Sequence, residues 1–261
     1  MPVGSSEEET ALSCVIRFIG GDALNTFSLS DLPLALGAFD LKGRSVGLVI
    51  VDEINGFATP GCGPLAPAGP DGCVERMISQ TDRLARLFEK EGRPILLFLD
   101  SHEPGKLEPP YPPHCERGSG HEMLVPALAW LEKSDRARLV QKDCINGFIG
   151  AIDAETGRNA VIEWINDCRL AAVLVVGICT DICVMDFVLT LLSARNHGLI
   201  PSLADVVVYE PGCATYDLPR PTVDALGLPA TATHPRELTH HMGLYLMASR
   251  GAILASTVLQ F

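Results

Sequence analysis

The stretch Ala171-Ala-Val-Leu-Val-Val-Gly-Ile-Cys-Thr-Asp-Ile-Cys-Val184 decides the fold of this 261-residue chain. Its first part, residues 171–176, is an apolar run typical of a parallel strand that is buried on both faces. A tight turn follows, and a helical pattern begins at Cys183. A helix N-terminus lowers the pKa of a cysteine and offers free backbone N–H groups to an oxyanion. The stretch therefore predicts a nucleophilic cysteine, with an inert buried thiol as the alternative.

Short apolar runs of this kind recur along the chain and alternate with helical patterns. The predicted strands are residues 46–51, 94–99, 138–140, 171–176 and 205–209. The predicted helices are residues 72–91, 159–167, 183–196 and 236–249. Strands that alternate with helices of this length indicate an α/β protein. We expect a doubly wound, mostly parallel sheet with helices on both faces.

Two segments fall outside this alternation. We expect residues 1–44 to be an N-terminal extension with one short helix near Asp31, and residues 45–261 to form a single domain. Residues 219–235 are predicted to be a loop insertion before the last helix, because they are rich in turn-forming residues. Three histidines in or near that helix are expected on the surface. They are His234, His240 and His241.

Composition and charge narrow the classes of function. The formal net charge of −12 at pH 7 argues against a nucleic-acid partner, because such binding depends on Lys and Arg neutralising phosphates. No run approaches the roughly 20 apolar residues of a membrane span, so no membrane partner is expected. The nine cysteines are an odd number without regular spacing, which is typical of reduced thiols. Since the N-terminus resembles no secretory or transit leader, we expect a cytoplasmic protein.

Four polar residues follow predicted strands at their carboxyl ends. They are Asp52, Asp100, Lys142 and Cys183. Open α/β sheets bind ligands beyond the carboxyl ends of their strands, so these side chains are expected to meet in one crevice. Each aspartate taken alone could instead cap the next helix. The four together favour a functional site.

Asp100-Ser-His102 predicts a metal centre beside that site. Two side chains separated by one residue at a strand end point the same way, and a loop can return a third ligand from His114. One carboxylate and two imidazoles suit Zn²⁺, with Fe²⁺ or Mn²⁺ as alternatives, and leave positions open for water or substrate. His121 competes for the third position, but the Pro-Pro-His-Cys context favours His114.

Taken in order, these motifs resemble the nicotinamidase branch of the cysteine hydrolases related to isochorismatase. The matching motifs are Asp52-Glu-Ile-Asn55-Gly-Phe57, Asp100-Ser-His102, Tyr111-Pro-Pro-His114-Cys115, Lys142 and Gly177-Ile-Cys179-Thr-Asp181-Ile-Cys183-Val184. The similarity spans about residues 45–255. Ile54, Tyr111 and Cys179 replace the Gln, Trp and Ala that are usual in the family, so the preferred substrate stays open.

The resemblance implies an isochorismatase-like hydrolase fold and an amidase mechanism. Cys183 would attack a carboxamide carbon, and water would hydrolyse the resulting thioester. Asp52 would be the base, and Lys142 would favour the ionised forms and hold Asp52 in place. The backbone N–H groups of Cys179 and Cys183 would form the oxyanion hole. A cis peptide bond is expected between Ile178 and Cys179.

The resemblance also implies the ligands. The substrate would be nicotinamide, converted to nicotinate and ammonia in NAD salvage. One divalent metal, zinc first, would bind the pyridine nitrogen and be held by Asp100, His102 and His114. Phe57 and Tyr111 are placed to line the ring pocket, with Phe148 as a weaker candidate. A homo-oligomer is left open.

Two other functions compete with this interpretation. One is a related hydrolase that acts on another amide, carbamoyl or ureido compound. The other is a non-catalytic zinc protein whose α/β domain serves as an interaction scaffold.

Overall fold

The computed structural model of the chain describes residues 16–17 and 26–259. The chain divides into two compact units, Met1–Pro33 and Leu34–Phe261. In the first unit, β1 (Ile16–Arg17) pairs antiparallel with β2 (Thr26–Phe27), and a 3-10 turn follows at Leu29–Asp31. The short helix expected near Asp31 is therefore a single turn that ends at this residue.

The second unit is built on a parallel sheet that, in the described part of the chain, has seven strands. Their bounds are β3 (Leu36–Asp40), β4 (Val46–Val51), β5 (Ile95–Asp100), β6 (Ala137–Lys142), β7 (Ala172–Ile178), β8 (Asp205–Ala214) and β9 (Ile253–Leu259). The spatial order is β3-β9-β8-β7-β4-β5-β6. The central strands β4, β5 and β7 are buried along their whole length. The predicted α/β class with a parallel sheet is confirmed.

Helices cover both faces of this sheet. Their bounds are α1 (Asn55–Ala58), α2 (Gly72–Lys90), α3 (Gly147–Gly150), α4 (Ala160–Asp167), α5 (Met185–Asn196), α6 (Arg220–Ala225) and α7 (Arg236–Ala248). On one face, α2 packs through Met77, Leu84 and Phe88, while α4 and α5 pack on the other through Trp164 and Phe187. Among the described residues, no helix combines the length and the apolar composition required to cross a membrane.

Three features of the fold differ from the sequence-based expectations. The segment expected as an extension, residues 1–44, contains β3, which pairs with β9 and so belongs to the main sheet. Neither of these strands was predicted, because both lie toward one edge of the sheet and expose several side chains, so that neither reads as an unbroken apolar run. The insertion at residues 219–235 contains α6 and a 3-10 turn at Ala230–Ala232.

Candidate active site

The carboxyl ends of four neighbouring strands carry functional side chains into one buried site. Asp52 directly follows β4, whereas Asp100 and Lys142 are the last residues of β5 and β6. Cys183 lies in a π-helical turn, Thr180–Val184, that joins β7 to α5. All four side chains are buried. The structure thus brings together the residues that the strand ends predicted.

Lys142 lies between two carboxylates. Its Nζ is 2.9 Å from Asp52 Oδ2 and 2.9 Å from Asp100 Oδ1, and it donates to the carbonyl oxygen of Cys144 at 3.0 Å. Asp100 and Lys142 are register partners on adjacent strands, which explains their contact. Burial alone would lower the pKa of Lys142, but Asp52, Cys183 and Asp100 outweigh it and raise this pKa well above its usual range. Lys142 therefore remains a cation.

Asp52 has the properties of a general base. Its backbone is in the left-handed region, with φ at 54°, which a non-glycine residue rarely adopts. Its N–H donates to the carbonyl oxygen of Phe98 at 3.1 Å, and its own carbonyl oxygen accepts from Ile54 at 2.8 Å. Burial raises the pKa of Asp52 to about 6, against the lowering effect of Lys142. A carboxylate with a pKa near neutral is suited to exchanging protons with a thiol.

Cys183 occupies the predicted place but has a different ionisation from the one expected. The turn that contains it continues directly into α5, so it lies in the first turn of a helical segment. Burial nevertheless raises the pKa of the thiol well above its usual range, and the opposing effect of Lys142 is smaller. The lower thiol pKa expected from the helix terminus is thus wrong, because loss of hydration outweighs that effect. A base must remove the proton, and the buried carboxylate of Asp52 is an electrostatic neighbour of the Cys183 thiol.

The turn before Cys183 has two special backbone positions. The Ile178–Cys179 peptide bond is cis, as the resemblance implied. Gly177 has φ at 132°, and a Cβ there would lie 2.1 Å from the carbonyl oxygen of Val51 on the neighbouring strand. Glycine is therefore required where β7 passes β4. The N–H groups of Cys179 and Cys183 remain the predicted oxyanion hole.

Asp100, His102 and His114 form a buried group with ligand atoms within 4.8 Å of one another. The Nε2 atoms of His102 and His114 each lie 3.1 Å from Asp100 Oδ2. His114 Nδ1 is 2.8 Å from the carbonyl oxygen of Pro112, an arrangement that directs Nε2 toward the group. The donor set fits zinc, iron or manganese. His121 is not part of this group, so the choice of His114 as third ligand agrees with the geometry.

Glu108 is a further member of this site that was not predicted. Its Oε2 lies 3.7 Å from His102 Nε2 and 3.6 Å from His114 Nε2, and its Oε1 accepts from the Ile145 N–H at 2.8 Å. The signal in the sequence was an acidic residue midway between the two histidines. It was indistinct, because Glu103 lies in the same loop and is exposed.

Replacing Glu108 by glutamine is expected to weaken zinc binding about 10-fold or more, because a fixed carboxylate beside the ligands is lost. Competition with a chelating dye measures the dissociation constant. Glu103→Gln is the matched control, since it removes the same charge from an exposed position in the same loop. Equal zinc affinity in Glu108→Gln and the wild type would contradict a role for Glu108.

Two aromatic side chains lie beside His114. The ring centroid of His114 is 5.7 Å from that of Phe57 and 6.0 Å from that of Tyr111. Burial raises the pKa of Tyr111 to about 12, and the neighbouring thiols of Cys183 and Cys179 contribute. Tyr111 thus lies beside His114 and interacts with both thiols, and its contact with a substrate ring stays a prediction.

Two other residues considered from the sequence have a different setting. Phe148, the weaker pocket candidate, is buried in the hydrophobic core. Ile54, which departs from the usual family motif, is fully buried in the core on the other face of the sheet.

The expectation that the late histidines lie on the surface is wrong for His234, which is 8% exposed. Its Nε2 lies 2.7 Å from Asp181 Oδ2 in the turn that carries Cys183. His240 Nδ1 lies 2.9 Å from the hydroxyl of Thr180 in the same turn. Both contacts join residues more than fifty positions apart, so no local pattern indicated them.

A buried thiol, carboxylate and ammonium at the ends of parallel strands are typical of the class of α/β cysteine hydrolases. The eight cysteines in the described part of the chain are free thiols, which leaves Cys183 available for this chemistry. The chain belongs to the isochorismatase family, because the model of the isochorismatase domain matches residues 46–257.

Known proteins resemble the chain in sequence and in fold. It is 49% identical to Nicotinamidase 1 of Arabidopsis thaliana over 217 residues, which cover 83% of this chain and 88% of the relative. Nicotinamidase PncA of Bacillus subtilis has a similar fold, with a TM-score of 0.60 at 19% identity, over 81% of this chain and 100% of that one. Pyrazinamidase of Pyrococcus horikoshii in complex with zinc has a TM-score of 0.56 at 19% identity, over 83% and 99%. These two structures bear on the fold alone.

Proposed function

We propose that the protein is a nicotinamidase, which hydrolyses nicotinamide to nicotinate and ammonia. The observation that carries this proposal is the double contact of Asp100. Its Oδ1 contacts Lys142, which lies near Cys183, and its Oδ2 contacts His102 and His114. Asp100 thus joins the residues that could hold a metal to the group that contains the proposed nucleophile. A substrate with a ring nitrogen and a carboxamide suits both, and the 49% identity to a nicotinamidase supports the choice.

The reaction begins with proton transfer from Cys183 to Asp52. The thiolate attacks the carboxamide carbon, a C–S bond forms, and the carbonyl π electrons move to the oxygen, where the N–H groups of Cys179 and Cys183 donate to it. The C–N bond then breaks, and the proton on Asp52 passes to the leaving nitrogen, which departs as ammonia. Water, deprotonated by Asp52, hydrolyses the thioester and regenerates the thiol.

Lys142 and the metal group have supporting roles in this scheme. Lys142 keeps its charge beside Asp52 and so offsets the negative charge that reaches the site when the thiol ionises. A divalent metal held by Asp100, His102 and His114, zinc in this proposal, would coordinate the pyridine nitrogen and orient the carboxamide. The same proposal places the enzyme in the cytoplasm, in NAD salvage, with no nucleic-acid or membrane partner.

Ammonia release from nicotinamide by zinc-loaded protein tests the proposal. We expect turnover by the wild type, and loss of both turnover and zinc in His114→Ala. His197→Ala, which removes an exposed histidine at the end of α5, is the control and should keep both. Zinc-loaded wild type that releases no ammonia from nicotinamide would overturn the proposal. Other amides and ureido compounds would then be tested as substrates.

The ratio kcat/KM for nicotinamide is expected to fall about tenfold per pH unit below about pH 6. The pKa of Asp52 is raised, so this residue is protonated below that pH and cannot accept the thiol proton. Above it the carboxylate is available and the profile levels off. The profile is measured between about pH 5 and 8, with zinc content checked at each point.

Glu53→Gln is the control for this profile. Burial also raises the pKa of Glu53, but its Oε1 accepts from the hydroxyl of Thr81 on α2 and it takes no part in the scheme. The midpoint should therefore be unchanged in this variant. A wild-type profile that is flat down to pH 5 would contradict Asp52 as the base.

A further inference from the structure

The inserted segment before α7 carries a histidine that the proposed reaction does not use. Leu218 and His234 exchange two backbone hydrogen bonds of 2.8 Å, which close the segment between them into a loop. The ring of His234 is held on both sides. Its Nε2 lies 2.7 Å from Asp181 Oδ2, and its Nδ1 lies 3.0 Å from the carbonyl oxygen of Tyr216. The loop is therefore anchored to the turn that carries the nucleophile.

This histidine fixes an aromatic side chain. The rings of Tyr216 and His234 are stacked, with centroids 3.9 Å apart and planes 13° apart. Because His234 is bonded to Asp181, two residues before Cys183, the ring of Tyr216 has a set position relative to the nucleophile. A ring held by stacking and by a bonded partner loses little entropy when a ligand packs against it.

Tyr216 and Tyr111 both interact with the thiol of Cys179. Both side chains are partly exposed, so each has a surface free to meet a ligand. Burial raises the pKa of Tyr216, and Cys179 and Tyr111 contribute to the shift. Tyr111 in turn interacts with Cys179 and Cys183 and lies 6.0 Å from the ring of His114. Both phenols therefore lie near the turn that carries Cys183, Tyr216 through its stacking on His234, which binds Asp181 in that turn.

We propose that Tyr216 is a specificity-determining residue, which forms with Tyr111 an aromatic wall for the ring of the substrate, and that His234 and Asp181 are its positioning residues. The identity of that ring rests on the proposed function. Planar rings gain energy from packing against an aromatic side chain, whereas an acyclic amide has no ring to pack. Tyr216 thus contributes to the binding of ring amides and has no part in bond making at Cys183.

Kinetics of Tyr216→Leu with a ring amide and an acyclic amide test this proposal. We expect KM for nicotinamide to rise about 3- to 10-fold with kcat nearly unchanged, which is the range expected from one aromatic contact. The ratio kcat/KM for propanamide should stay the same. Tyr216→Phe keeps the ring, so its KM for nicotinamide should equal that of the wild type.

His234→Leu removes both the stacking and the bond to Asp181, so it should raise the same KM. Combined with Tyr216→Leu it should add little, because the two residues act as one unit. His197→Leu is the control on the exposed end of α5 and should resemble the wild type. Thermal melts of all variants identify any that fail to fold.

A binding measurement tests the proposal independently of turnover. Calorimetric titration of nicotinamide into zinc-loaded Cys183→Ala, with and without Tyr216→Leu, should give a dissociation constant about 3- to 10-fold higher for the double variant. Unchanged values of both KM and the dissociation constant would overturn the proposal. An equal loss of kcat/KM for both amides would also overturn it, since a general effect on the turn would then explain the data.

Failure of the proposed function is distinguishable from failure of this inference. If wild type leaves nicotinamide intact but hydrolyses another ring amide, only the proposed function falls. The role of Tyr216 is then tested with that amide in place of nicotinamide. Tyr216→Leu should lower kcat/KM for that amide and leave kcat/KM for propanamide unchanged.

Discussion

Replacing Cys183 by alanine is expected to lower the rate of ammonia release from nicotinamide by about 10⁴-fold or more, because no thioester can form without the thiol. The remaining groups would still bind the substrate and donate to its carbonyl oxygen, which explains why a small residual rate is compatible with the mechanism. The measurement is kcat at saturating nicotinamide for zinc-loaded protein. Zinc content should not change, because the residues that could hold the metal are Asp100, His102 and His114 and do not include Cys183.

Cys168→Ala is the matched control for this variant. It removes another free thiol, but from an exposed position just after α4. Its kcat should equal that of the wild type. Mass spectrometry of rapidly quenched wild type should find the acyl group on the peptide that contains Cys183. Turnover by Cys183→Ala within tenfold of the wild type would mean that another group is the nucleophile.

Replacing Lys142 by methionine is expected to lower the free energy of unfolding of the metal-free protein by about 3–5 kcal/mol, because it leaves buried carboxylates without their cation. Asp52 and Asp100 both contact the Lys142 ammonium, each 2.9 Å from Nζ. Methionine fills most of the volume of the lysine stem. The loss of unfolding free energy therefore comes mainly from the missing charge and not from a cavity. Urea unfolding at neutral pH, with a chelator present, measures it.

The loss of unfolding free energy in Lys142→Met should be smaller at low pH. Without the ammonium, the pKa of Asp52, which burial already raises, rises further above that of the unfolded chain. A carboxyl of this kind costs stability as the pH rises above its unfolded pKa, and the cost disappears when both states are protonated. The variant should therefore differ more from the wild type near pH 8 than near pH 5.

Two further variants control this prediction. Asp52→Asn in the Lys142→Met background removes one of the unpaired charges and should restore part of the stability. Lys106→Met removes an exposed lysine, which pairs with Asp143, and should have little effect, because exposed ion pairs contribute little. A loss below about 1 kcal/mol in Lys142→Met would contradict the importance of the buried network.

Most of the fold and site could be predicted from local patterns. The strands β4 and β7 read as unbroken apolar runs because both of their faces are buried, and they are central in the sheet. The convergence of Asp52, Asp100 and Lys142 followed from a topological rule, since parallel strands end at the same edge. These inferences needed only residue order and the burial of central strands.

Other features depend on pairings between distant residues. β3 and β9 come from opposite ends of the second unit and have weak apolar patterns, so only their pairing identifies them as strands. His234 is buried because the insertion folds back on Asp181, 53 positions earlier in the chain. Glu108 approaches His102 and His114 because of the path of its loop, and no local sequence pattern predicts that path.

The sequence by itself determined the α/β class, the strands that carry chemistry, and the residues that meet at their ends, because these follow from periodicity and from chain topology. Only the tertiary structure decided how those groups ionise and which distant side chains support them. The Cys183 thiol is protonated and the pKa of Asp52 is near 6, although the sequence suggested an activated thiol. The reason is physical, since hydration and Coulomb energies depend on burial and on distances that exist only after folding.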